Sequence, residues 1–263
     1  MTEISFRRSA EIQSSVMLGL LVREYNFKIG DSRIGWFWIL TEPVVQVAAL
    51  SALWYVARVQ TILSVPVALF ITTGLIPFAF FRESISFVPR IVSQSTHLFD
   101  FRQVKPFDAM LARFVLSTLL TLLAAALFLL CLWWFFDYEI APAHPAELIG
   151  AIALLAMGGF GLSLLLGVFG TLYDSIRRGS EYATRPLFFL SGIFYAYQQL
   201  PIQAQDILKW NPAMQYITMI RCYMFGHDIP RGISPEIMSF VSLASLATGM
   251  VVYYAYRVRL IQK

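Results

Sequence analysis

Apolar runs dominate the chain, and three of them, Phe114 to Phe136, Leu148 to Tyr173 and Ile237 to Tyr256, carry no charged side chain. Each reaches the ~20 apolar residues that a helix needs to cross a hydrocarbon core. With the less uniform stretches included, the pattern predicts spans at about 36–57, 65–88, 111–136, 147–173, 183–200 and 236–257, the fifth being the weakest. Upstream, Val16 to Val22 is apolar but too short to span, and it lies among Arg7, Arg8, Arg23, Lys28 and Arg33. No small-residue cleavage site follows, and Trp36, Phe37 and Trp38 come next. This reads as an uncleaved amphipathic helix in the headgroup boundary, with the tryptophans anchoring the first span at that level. The expected architecture is therefore all-α and polytopic. A cytoplasmic N-terminus (1–35) holds the interfacial helix, and a single six-helix transmembrane domain follows (36–263).

The connection after the fifth span has its own signals. Pro201 opens one short stretch, and Asn211-Pro212 opens another that runs to Gly226. An Asn cap, a Pro at the first helical position and a Gly stop spell a helix. At about 14 residues it is too short to cross, yet Met214, Ile217, Ile220 and Met224 give it an apolar side. The expectation is two short re-entrant helices packed at a pathway mouth, because irregular backbone at membrane depth is tolerated only against protein or a water-filled cavity. A helix lying on the outer surface is the alternative.

Composition agrees with a membrane protein: 58% of residues are hydrophobic and 14% charged, against about 25% charged in soluble domains. The net charge of +4 points to topology before nucleic acid. With the N-terminus inside, every lysine and arginine except Arg58, Lys209, Arg221 and Arg231 falls in an inward segment, so both termini are expected in the cytoplasm. Cys131 and Cys222 sit in no redox or metal-ligand spacing, and a disulfide is not expected.

Catalytic chemistry is missing from the pattern. None of the four lysines follows a glycine, so no phosphate-binding loop is present. His97, His144 and His227 are far apart, and neither a metal site nor a set of catalytic residues emerges. Glu42, followed by Pro43, is the main intramembrane carboxylate, and an acid there needs a partner such as Arg33. A gradient-driven transporter would bury titratable groups at mid-membrane and show an internal repeat, and neither is found.

Several motifs, taken in order, carry a resemblance. Gly35-Trp36-Phe37-Trp38-Ile39-Leu40 precedes Glu42-Pro43, and Gly74-Leu75-Ile76-Pro77-Phe78 lies in the second span. Val104-Lys105-Pro106 with Asp108 follows in the next inward loop, then Arg185-Pro186-Leu187 with Phe189, and finally Trp210-Asn211-Pro212 with Arg221. Along nearly its whole length the chain resembles the transmembrane subunit of type-2 ABC exporters, most closely the capsular polysaccharide permeases. The resemblance implies a homodimer in the bacterial inner membrane, bound to two copies of a separate ATPase. ATP and Mg would be held by that ATPase, with no cofactor in this chain. It also implies a lipid-linked anionic polysaccharide as cargo, and a periplasmic adaptor and outer-membrane exporter as further partners.

By the same resemblance, Phe101, Arg102, Gln103, Val104, Lys105, Pro106, Phe107 and Asp108 would dock into the ATPase. Arg102 and Lys105 would meet acidic groups there, while Phe101 and Phe107 fill a groove. An anionic lipid head would be admitted beside the interfacial helix, at Arg23, Lys28, Arg33, Trp36, Trp38 and Glu42, and the sugar chain would follow between protomers. Tyr195, Tyr197, Trp210, Tyr216 and Arg221 would shape the outer channel mouth, although Arg221 equally suits a pairing with Asp206 or Asp228. An exporter of O-antigen or teichoic acid shares this architecture. A membrane-embedded glycan-modifying enzyme is the rival from another class.

Overall fold

The computed structural model describes the backbone of residues 5–29, 35–94 and 105–261, with side chains from Glu11 onward except those of residues 12, 29, 35–40, 42, 43 and 261. The helices are α1 (Ser5–Ile29), α2 (Gly35–Val56), α3 (Val67–Ser86), α4 (Arg90–Gln94) and α5 (Pro106–Phe136), then α6 (Pro145–Leu172), α7 (Asp174–Leu190), α8 (Ile202–Leu208), α9 (Pro212–Phe225) and α10 (Pro235–Ile261). Among the described residues four stretches are long and apolar enough to cross a membrane: Val67–Val92, Pro106–Phe136, Pro145–Leu172 and Pro235–Leu260. They coincide with the second, third, fourth and sixth expected spans, and α2 covers the first.

A small hairpin interrupts the helical pattern between α2 and α3. Strands β1 (Thr61–Ile62) and β2 (Val65–Pro66) pair antiparallel, with Ile62 opposite Val65. Leu63 and Ser64 both take positive φ, the geometry of a two-residue hairpin turn that usually recruits Asn and Gly. Burial of Ile62 and Val65 holds the turn where its own residues do not favour it.

The bundle is built around α3, buried at most positions from Val67 to Ser86. It packs against α2, α5, α6, α7 and α9. A face of small residues on α6 is turned toward it: Ser163 Oγ donates to the Ser84 carbonyl at 2.6 Å, and a Cβ on Gly159 would press on Ser84. A second close face on α6 receives α10. There a Cβ on Gly161 would strike the backbone of Ser245 and Leu246, and Ser245 Oγ donates to the Gly158 carbonyl at 3.2 Å. Small residues let two backbones approach where the solvent is itself apolar. The outward faces of α5 and α10 are correspondingly greasy, with Leu119, Leu123, Trp134, Phe240, Val251 and Tyr254 exposed. A soluble protein would hide such a surface, and a bilayer covers it.

The fifth expected span, 183–200, is not one continuous helix. Its helix begins earlier, at Asp174, and stops at Leu190. The chain then breaks at Ser191 and Gly192, the latter with φ of 72°, and runs irregularly to a 3-10 turn at Tyr197–Gln199. Gly192 is needed there twice over, because a Cβ would also collide with the Met214 sulfur.

Candidate functional site

The break after α7 exposes carbonyls that no helix satisfies, and side chains from elsewhere supply the donors. Ser191 Oγ bonds the Leu187 carbonyl at 2.6 Å, the Tyr195 hydroxyl bonds that of Phe189 at 3.0 Å, and Asn211 Nδ2 bonds that of Leu190 at 3.0 Å. The next carbonyls converge on Arg221, whose Nη1 donates to Gly192 and, at 3.4 Å, to Tyr195. Its Nη2 donates to Ile193 at 3.1 Å and to Phe70 of α3 at 2.9 Å. The guanidinium also lies over the Phe70 ring, 3.6 Å from its centroid. A planar five-donor cation suits this task better than any other side chain.

Arg221 sits on α9, which begins and ends as its sequence dictates. Asn211 caps the first turn by accepting from the Ala213 N–H at 3.0 Å, Pro212 opens the helix, and Gly226 closes it with φ of 69°. Eleven of its fourteen residues are buried, against α3, α6 and α10. Met214, Ile217, Ile220 and Met224 are all inside, as their spacing requires.

The residues expected at the outer mouth therefore separate. Trp210 is 80% exposed, but Tyr197, Tyr216 and Arg221 are buried. The Tyr197 hydroxyl donates to the Gln205 carbonyl at 3.1 Å, and the Tyr216 hydroxyl lies 2.6 Å from Ser242 Oγ. Arg221 bonds backbone carbonyls and neither expected aspartate. Asp206 instead pairs with Lys209 at 2.8 Å and holds that ammonium above the ordinary lysine range. The sequence did hold a signal for Arg221. Ile217, Thr218, Met224 and Phe225 fill the neighbouring turns, so no acid on its own helix answers the cation, and the partner has to be tertiary.

At the other end of α3, α1 is tied to the bundle by polar contacts. Gln13 Nε2 donates to Asp108 Oδ1 at 2.9 Å, Glu24 pairs with Arg113 at 2.9 Å, and Lys28 pairs with Glu83 at 2.6 Å. Gln13, Leu20, Glu24 and Lys28 share one helical stripe. Leu18, Val22 and Tyr25 form the opposite one and are exposed. Two of the expected headgroup cations are thereby matched with acids, Lys28 with Glu83 and Arg23 with Glu24 at 3.5 Å. Arg33 and the side chains of Trp36, Trp38 and Glu42 lie outside the described residues.

The expected docking segment is described only from Lys105 onward; Phe101, Arg102, Gln103 and Val104 lie outside the described residues. Lys105 is exposed and caps α5. Pro106 and Asp108 are buried, with Asp108 Oδ2 accepting from the Lys105 N–H at 3.3 Å. The Phe107 ring packs inward on Phe160 and Tyr253, at 5.8 and 5.5 Å between centroids, and its N–H donates to the Tyr253 hydroxyl. Phe107 is thus an internal anchor where a groove-filling ring was expected, because the helix start that Pro106 and Asp108 fix turns it toward α6 and α10.

No group of three or more His, Cys, Asp or Glu side chains is placed to hold a metal among the described residues. Comparison with known proteins extends the picture. Residues 16–225 match the model of the ABC-2 type transporter family. The polysialic acid transport protein KpsM of Escherichia coli is 26% identical over 248 residues, covering 94% of this chain and 95% of its own. The capsule polysaccharide export inner-membrane proteins BexB of Haemophilus influenzae and CtrC of Neisseria meningitidis serogroup A are 27% and 25% identical, each covering 94% of this chain and 93% of its own. A bundle of apolar helices with greasy outer faces, matched over most of its length by the family, leaves one assignment: the chain belongs to the ABC-2 type transporter membrane proteins.

Proposed function

We propose that this chain is the membrane subunit of an ATP-driven exporter that carries lipid-linked capsular polysaccharide across a bacterial inner membrane. The observation that carries this reading is the near end-to-end similarity to three proteins named for polysialic acid transport or capsule polysaccharide export. In this reading α2, α3, α5, α6, α7 and α10 are six spans, both termini are cytoplasmic, and α8 and α9 dip into the outer leaflet as a re-entrant pair. Burial of α9 and the satisfied carbonyls before it favour that placement, since irregular backbone at membrane depth must find its donors within the protein. The exposed apolar stripe of α1 favours its place at the cytoplasmic headgroup level.

Two copies of the chain would enclose the path. Exposed α7 favours this: Arg185, Tyr182 and Phe189 stand on its surface together, a mixture suited to neither lipid nor bulk water but to a polar conduit. Two ATPase subunits would bind ATP and Mg, engage the segment from Phe101 to Lys105, and move α5 through the buried root Pro106–Asp108. A periplasmic adaptor and an outer-membrane exporter would receive the polymer.

Depleting the protein in its host tests the reading. Full-length glycan on its lipid anchor should accumulate at the inner face of the cytoplasmic membrane. A polyprenyl anchor would move the assignment to O-antigen or teichoic acid export, a shortened polymer would favour an enzyme, and unchanged glycans would overturn it.

A further inference from the structure

Arg221 spends the donors of both its Nη atoms on four carbonyls, and one donor is left over. Its Nε–H is sealed from solvent and has no acceptor among the described residues. One turn back on α9 is Thr218, as deeply buried, at 5% exposure against 6% for Arg221. The Thr218 hydroxyl likewise has no hydrogen-bond partner among the described residues. Thr218, Arg221 and Cys222 share one face of α9, and all three line a small cavity of about 10 Å³. Phe70 of α3 and Ala196 and Gln198 beyond the break after α7 line it as well.

That volume admits a single particle of about the size of water, so phosphate, carboxylates and organic ligands are too large. Charge selects among single particles. No Asp or Glu is among the described residues lining the cavity, and Asp228, the next acid along the chain, meets Cys222 through its backbone carbonyl, 3.6 Å from Sγ. Carbonyl dipoles share the guanidinium charge but do not cancel it, and a buried cation without a counter-charge is costly. Water would satisfy the two orphan donors and leave the charge standing. A monatomic anion accepts from both and balances the charge.

We infer that Arg221 Nε and Thr218 Oγ1 bind a chloride ion in this cavity. Gln198 is exposed and can turn aside for an ion slightly larger than water. The bound ion ties α9 to α3 and to the broken segment after α7, so the fold at this end of the bundle tightens as halide is added. The inference stands apart from the export reading and needs none of it.

The test is thermal unfolding of the full-length chain in detergent, in sodium chloride against sodium gluconate at equal ionic strength. Chloride should raise the melting temperature by several degrees and then saturate, as mass action requires of a ligand held by the folded state alone. Thr218→Val, which keeps the shape and removes the hydroxyl, should melt at nearly the same temperature in both salts. Bromide should replace chloride. In crystals of the wild-type chain its anomalous signal should lie within hydrogen-bonding reach of Arg221 Nε, which decides the matter if Thr218→Val does not fold. Equal wild-type melting temperatures in the two salts would overturn the site and leave an ordered water in its place. An undiminished chloride response in Thr218→Val, or bromide bound only elsewhere, would overturn it too.

Discussion

Gly74 and Arg221 occupy one space: the guanidinium lies where a side chain at Gly74 would have to stand. The glycine on α3 is thus the negative imprint of a cation 147 residues later in the chain, and each explains the other.

Gly74→Ala should push Arg221 from its carbonyls. An overpacked core site costs roughly 1–3 kcal/mol, which thermal unfolding in detergent would register as a drop of several degrees. Gly150→Ala on α6, where a Cβ meets nothing within 4 Å, should be neutral or slightly stabilising. Equal effects would show that the contact with Arg221 does not matter.

Arg221→Met removes the donor to four carbonyls and leaves them buried. Each buried acceptor left without its donor costs about 1–3 kcal/mol, so the protein should fail to accumulate in the membrane. Arg221→Lys keeps the charge but not the fork, and should restore only part of the yield. A stable Arg221→Met protein with impaired export would instead give the residue a role in the path.

Glu24→Leu takes from Arg113 its carboxylate, and Arg113→Met leaves Glu24, which is 3% exposed, with only the longer pairing to Arg23 at 3.5 Å. Each single variant should lose more stability than the double one, because a buried pair replaced by apolar groups is often neutral whereas half of it is not. A double-mutant cycle by thermal unfolding, with additive losses, would sink this account of how α1 is held.

Lys209→Met should leave thermal stability unchanged at neutral pH, since its pair with Asp206 is exposed and screened. Its folded pKa is raised, so whatever the pair contributes is complete below the ordinary lysine pKa and fades as pH rises through the folded value. A melting-point difference appearing at pH 7 would contradict this.

Much of the fold was legible because lipid imposes one rule on long segments. Uncharged runs marked α5, α6 and α10, and Asn211, Pro212 and Gly226 marked both ends of α9. The helix expected over 183–200 was misplaced because the apolar content of that stretch lies past the helix that forms. Phe194, Tyr195 and Tyr197 extend the hydrophobic run through a backbone that Gly192 has already broken. Site residues were harder to place because their partners are remote. Gln13 answers Asp108 across 95 positions, and Arg221 answers Phe70 across 151. Phe107 looked available because an aromatic beside Pro in a charged loop carries no mark of which way it turns.

The two stripes of α1 limit how the bundle can move. One is bonded to Asp108, Arg113 and Glu83, and the other is a row of bare apolar side chains. If lipid covers that row, lifting the helix off the surface exposes it to water, and sinking it buries charge. What remains is sliding in the plane of the membrane. With lipid over that row, the base of α5 would inherit the restriction, and a force applied at Lys105 would be turned into lateral displacement rather than a piston stroke along the membrane normal.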